Sequence, residues 1–153
     1  MSREALNNLV GEWSGNNRLW LDPDAPPRES DATASVSLEA GGKFATVRYT
    51  WSDGERPCEG MIVVRLATSA TPIDLVWIDS WHMGHEFMTL RAEPHEDVIV
   101  SAKGTYPAPP GPDWGWRIAL LTNEEGEFRI EMDNITPDGE EADAVELRFK
   151  RVT

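Results

Sequence analysis

The stretch that decides the fold is Ser2 to Leu19, SREALNNLVGEWSGNNRL, because its hydrophobic period changes part-way along. Ala5, Leu6 and Leu9 fall on one face of a short helix, with Ser2 placed to cap its start and Gly11 to end it. From Trp13 onward the period is two. Trp13, Gly15, Asn17 and Leu19 alternate with Ser14, Asn16 and Arg18, which is the pattern of a strand with one wet face. No long helical pattern returns afterwards, so a parallel α/β sheet is not expected.

Working outward, DPDAPPRESD (Asp22 to Asp31) reads as a loop, being rich in proline and acid. Strands are expected at 32–40, 43–52, 57–66, 73–81, 86–93, 97–106, 114–122, 127–135 and 142–152. Turn chemistry separates them at Gly41-Gly42, Asp53-Gly54, Thr68 to Pro72, Pro94 to Glu96, the proline loop Pro107 to Asp113, NEEGE and TPDGEE. About ten sequential strands predict an antiparallel meander closed into an up-and-down barrel, since closure removes the exposed edges. A two-sheet sandwich is the competing solution. The early helix would cap one end of the barrel.

The 153 residues fit one domain, 1–153. No apolar run approaches the roughly 20 residues that span a bilayer, and the N-terminus lacks the order of a secretory signal. One cysteine, Cys58, excludes an intrachain disulfide and zinc sites built on several thiolates. A cytoplasmic protein is therefore expected. The net charge of −13 argues against nucleic-acid and membrane partners, because it repels phosphate and anionic lipid. Seven tryptophans against two tyrosines predict either a thick aromatic core or a cavity lined by indoles.

The run Asp79 to Phe87, DSWHMGHEF, concentrates the polar chemistry. His82 and His85 are three apart, so an unbroken strand would hold them on opposite faces, while a turn at Gly84 could bring them together. Asp79, Glu86 or His95 could then complete a metal site, but no ligand set is clear enough to predict a metal. Asp79 and His82 form the best acid–base pair, again only if the strand bends near Trp81. No nucleophile elbow is present. Trp77 and Trp81 share one strand parity, as do Tyr49 with Trp51 and Trp114 with Trp116. Ser80 and His82 follow Val76 and Ile78, an apolar face that turns polar at its end as a cavity mouth would, and Trp81 and His82 cannot both face inward on a regular strand. Asn17, and Asn134 beyond Met132, place polar groups at the ends of apolar faces. Arg48 and Arg117 lie opposite the apolar parity of their strands and are expected outside.

The opening Leu6-x-x-Leu9-x-Gly11-x-Trp13-x-Gly15 resembles the start of many calycin barrels, the lipocalin-like superfamily. LVGEWSGNNRLWLDPDAPP together with DSWHMG is similar, more narrowly, to a bacterial family of uncharacterised lipocalin-like domains. The resemblance covers nearly the whole chain in strand order. It implies the barrel and no established reaction. Nitrobindins, ten-stranded haem barrels, share the helix and the Gly-x-Trp-x-Gly strand, and in them a histidine near the C-terminus ligates the iron. Here the chain ends AVELRFKRVT, with no histidine after His95, so that ligand is missing and no cofactor is expected. Haem would need His82 or His85, to which the family pattern does not point.

The expected ligand-contacting residues are Asn17, Tyr49, Trp51, Trp77, Asp79, Trp81, His82, Trp114, Trp116, Met132 and Asn134. The leading expectation is a barrel that binds a small apolar or aromatic molecule in a Trp-lined cavity. An enzyme using His82 with an acidic partner, and a filled structural or interaction barrel, stand as alternatives, and a homodimer is left open.

Overall fold

The computed structural model describes residues 3–67, 70–71 and 73–152. The Ser2 cap, and Thr68, Ser69 and Pro72 of the expected turn, lie outside these residues. The element order is α1 (Arg3–Asn8), β1 (Gly11–Leu19), β2 (Arg28–Glu39), β3 (Phe44–Asp53), β4 (Arg56–Arg65), β5 (Leu75–Asp79), β6 (Met88–Ala92), β7 (Val100–Tyr106), β8 (Trp114–Thr122), β9 (Phe128–Ile135) and β10 (Glu141–Arg151). Every strand pairs antiparallel with its sequence neighbour, and β1 pairs with β10, closing a ten-stranded barrel. This is the up-and-down barrel expected from the period, not the sandwich.

Several boundaries differ from the sequence reading, among them that of β7, which starts at Val100 and not at 97. Arg28 to Asp31 belongs to β2, not to the preceding loop. Asn16 to Leu19 of β1 pairs with it in register, and ladder bonds there override a loop-like composition. Conversely, β5 and β6 are shorter than their apolar runs. β5 stops at Asp79, and residues 80–87 form a loop.

The alternation sets the inside. Leu75, Trp77 and Asp79 of β5 are buried, whereas Val76 is half-buried and Ile78 and Ser80 are exposed. The Val76–Ile78–Ser80 parity is thus the outer face, a correction to its reading as a cavity face. Arg48 is exposed as expected. Arg117 lies on the outer wall, where it bonds to Glu93 and Glu141 and sits 3.9 Å from Asp133.

In an antiparallel barrel the ends of odd strands and the starts of even strands gather at one rim. The opposite rim carries α1, the start of β1 and the end of β10. There Leu6 and Leu9 are buried in the core, and the Trp13 indole donates to the Leu9 carbonyl at 2.8 Å. Trp13 meets Phe128 edge-on at 5.5 Å, and the Arg151 guanidinium lies 4.3 Å from the Trp13 ring centroid. Arg151 also bonds to the carbonyls of Asn8 and Val10, which ties the last strand to the end of the helix. This rim is plugged, and it is the end that the early helix was expected to cap.

The motif's second glycine is a steric requirement. A Cβ on Gly15 would lie 1.8 Å from the Arg148 carbonyl oxygen on β10. We therefore expect Gly15→Ala to force β1 and β10 apart and lower stability by about 3 kcal/mol in urea unfolding. The neighbouring exposed Ser14→Ala should stay within about 0.5 kcal/mol of wild type.

Candidate functional site

The open rim is organised by one buried carboxylate. In the register of the sheet Tyr49, Gly60 and Asp79 stand in a row across β3, β4 and β5. All three have inward parity, but Gly60 has no side chain to fill its place. A Cβ there would come within 2.2 Å of the Tyr49 hydroxyl. The tyrosine ring therefore lies over β4 and donates its hydroxyl to Asp79 Oδ2 at 2.8 Å. The same hydroxyl accepts from the Trp77 indole N–H at 2.8 Å.

Asp79 Oδ1 faces the other way and ends the strand. It accepts the backbone N–H groups of Trp81 at 2.7 Å and His82 at 2.6 Å, and it contacts His82 Nδ1 at 2.9 Å. This local turn is the bend that the sequence required. It removes the conflict of parity, because Trp81 and His82 are no longer strand residues. Both pack at the rim, with ring centroids 4.7 Å apart.

Burial alone would raise the Asp79 carboxyl. The hydrogen bond of His82, its charge when the ring is protonated, the His82 backbone N–H and the Tyr49 hydroxyl outweigh it and hold its pKa below the usual carboxylate value. Tyr49 moves the other way, well up, through burial and then the neighbouring Asp79 charge. Tyr49 is thus a fixed neutral donor and Asp79 a fixed anion.

Beside this group is a pocket of about 150 Å³. Trp77, Trp81, Trp116 and His82 form much of its wall, and Met83, Met88 and Tyr106 complete it. Trp77 and Trp116 are stacked at 5.4 Å with only 9° between their planes, and His82 is 5.4 Å from Trp116. Two ring nitrogens are buried without a partner among the described residues, His82 Nε2 and Trp116 Nε1. Buried polar groups left unsatisfied are uncommon, and each calls for a physical reason.

Of the sequence-selected residues, the fold brings together Trp77, Trp81, His82 and Trp116 at this pocket, with Tyr49 and Asp79 directly behind His82. Trp51 touches the group through Trp81 and His82, at 6.0 and 6.1 Å. Met132 is buried in the core, and Trp114 is not among the pocket's walls. Asn134 accepts the Tyr106 hydroxyl at 2.6 Å, and so supports a wall residue without lining the pocket. Asn17 is buried, with its Oδ1 unpartnered, on β1. Sequence reasoning missed Met83, Met88 and Tyr106. The inward parity of Met88 and Leu90 on β6 could have pointed to Met88, while Met83 belongs to a loop with no parity to read.

The two histidines separate. His85 is exposed and lines an outer groove of about 550 Å³ with Ile78 and Phe87. His95 sits on the β6–β7 loop at the opposite rim. Among the described residues no cluster of three or more His, Cys, Asp or Glu is placed to hold a metal ion. Cys58 is buried beside the Arg56 carbonyl, and burial pushes its thiol up. No helix among the described residues is long and apolar enough to cross a membrane.

Residues 1–151 match the family described as protein of unknown function DUF1579. The chain belongs to that family. No curated protein matches it. Among solved structures, Rv2717c from M. tuberculosis superposes with a TM-score of 0.60 at 16% identity, covering 98% of this chain and 96% of that one. At that identity the likeness is one of fold alone. A proposed thioesterase II from Thermobifida fusca YX aligns over 95% of this chain and 79% of that one, at 11% identity with a TM-score of 0.24, and carries no argument.

Two variants test the electrostatics. Asp79→Ala strands the Tyr49 hydroxyl, His82 Nδ1 and two backbone N–H groups, and we expect it to lower stability by about 3 kcal/mol at pH 7. A depressed carboxyl stabilises the fold above its unfolded value of 3.8, and that stability is lost as pH falls through the lower folded value. The gap between wild type and variant in urea unfolding should therefore shrink only in acid. Asp133 behaves oppositely. Burial, then Asp143, raise its pKa to about 6 against the pull of Arg117. Its contribution is full below 3.8 and lost as pH rises through about 6. Asp133→Asn should thus stabilise the protein by about 1–2 kcal/mol at pH 8, allowing for solvent screening, and by nothing near pH 3.5.

Proposed function

We propose that this DUF1579 barrel is a calycin-like binding module that holds a small, mainly apolar or aromatic molecule at its open rim. The observation that carries the reading is the pocket of about 150 Å³ walled by Trp77, Trp81, Trp116, Tyr106 and two methionines. Aromatic walls with a few fixed polar groups are the usual make-up of a small-molecule site. A cavity near 150 Å³ is about the size that accepts one benzene ring. Methionine walls adapt to ligand shape, and Met83 lies on the loop that covers the rim.

Volume also sets what the site does not favour. A haem or a long acyl chain would need the rim loop to open widely. His82 serves here as an orienting group. Its ring is fixed by Asp79, and the one thiol of the chain, Cys58, contacts the Arg56 carbonyl instead. A reducing, cytoplasmic setting suits that single buried thiol.

Toluene and indole test the reading directly. Titration should shift the indole N–H signals of Trp77, Trp81 and Trp116 in nitrogen-edited NMR, saturably, and leave that of Trp13 at the plugged rim unmoved. Signals of all four that stay fixed up to the solubility of both solutes would sink the proposal.

A further inference from the structure

Resting on that reading, we infer that the preferred ligand carries a hydroxyl group on a single aromatic ring, a phenol-class molecule. Its O–H would donate a hydrogen bond to His82 Nε2, and its oxygen would accept one from Trp116 Nε1–H.

The argument begins with the tautomer. A carboxylate only accepts hydrogen bonds, so the imidazole nitrogen 2.9 Å from Asp79 Oδ1 must carry the proton. Asp79 is itself locked, since Oδ2 is taken by Tyr49 and Oδ1 also holds two backbone N–H groups. In the neutral ring Nε2 is then a lone-pair acceptor. Trp116 Nε1 can only donate. Both nitrogens are buried and unpartnered, on rings 5.4 Å apart that wall the same pocket. One acceptor and one donor on two side chains that wall a space for one ring call for a group that both donates and accepts a hydrogen bond. A hydroxyl does so through a single atom.

The alternatives fit less well. An ether or ketone satisfies Trp116 and leaves His82 Nε2 unpaired. A carboxylate could use both nitrogens only if His82 were protonated. It would also have to sit close to the Asp79 anion, in a chain of net charge −13. A hydrocarbon leaves both nitrogens unsatisfied. A site built to hydrogen-bond a hydroxyl discriminates strongly against analogues that lack it.

Four one-ring probes separate these cases by calorimetry: toluene, anisole, phenol and benzoate. Anisole can accept from Trp116 but cannot donate to His82. We expect phenol to bind more tightly than anisole, and His82→Leu to reduce that preference about tenfold. Trp116→Phe should reduce the preference for anisole over toluene by a similar factor. A readout on wild type covers the case in which either variant fails to fold. The His82 Nε2 nitrogen resonance should move on adding phenol and stay in place on adding anisole.

If toluene, anisole and phenol all bind but the phenol preference survives His82→Leu, or Nε2 does not respond to phenol, the hydroxyl assignment is overturned while the pocket stands. Benzoate binding more tightly than phenol would overturn it in favour of a protonated His82. If none of the four binds, the pocket reading falls with it.

Discussion

The open rim depends on neutralising one buried carboxylate. Asp79 has inward parity at the end of β5 and cannot reach water without breaking the strand pairing beside it. An unpartnered carboxylate there would be untenable. The fold supplies donors from both directions. On one side Tyr49 reaches across the gap left by Gly60, on the other the chain turns so that Trp81 and His82 offer backbone N–H groups and an imidazole. The end of β5, the entry angle of the rim loop and the orientation of His82 therefore share one cause.

That arrangement also explains why the two rims differ. At the plugged rim Trp13 has its indole N–H satisfied by Leu9, and Arg151 covers its ring. The polar atom of that indole is thus paired inside the rim. At the open rim Trp77 is satisfied through Tyr49, but Trp116 and His82 each keep one free nitrogen. Large aromatic side chains seal a barrel end when their polar atoms are paired inside it. The same residue types form a recognition surface when those atoms are left over. The chemistry of the rim thus lies in the hydrogen bonds that are not made.

The outer wall follows a different logic. Arg117 gathers Glu93 just beyond β6, Asp133 on β9 and Glu141 at the start of β10. In so acidic a chain one guanidinium shared among several carboxylates relieves like-charge repulsion across β6, β8, β9 and the start of β10. Burial, and then the negative charge of Asp143 beside it, are why the Asp133 carboxyl resists ionisation.

Period by itself determined the class and topology here. The switch from helical spacing to alternation after Gly11, and turn chemistry at regular intervals, sufficed to predict ten antiparallel strands and closure, because unpaired edges leave few other outcomes. It also grouped Tyr49 with Trp51, Trp77 with Trp81 and Trp114 with Trp116 on shared strand faces, since parity is a local property, without deciding which faces point inward. It could not resolve Asp79 to His82. Parity holds only while the strand continues, and β5 stops where Asp79 Oδ1 takes the backbone N–H groups of Trp81 and His82, on a carboxylate that Tyr49 holds from thirty positions earlier in the chain. Only the tertiary structure could decide that Trp81 and His82 both serve the rim, that His85 faces an outer groove, and that Val76 and Ile78 are outside. Cross-strand register brings Tyr49, Gly60 and Asp79 into one row, and no local pattern in the sequence encodes that row.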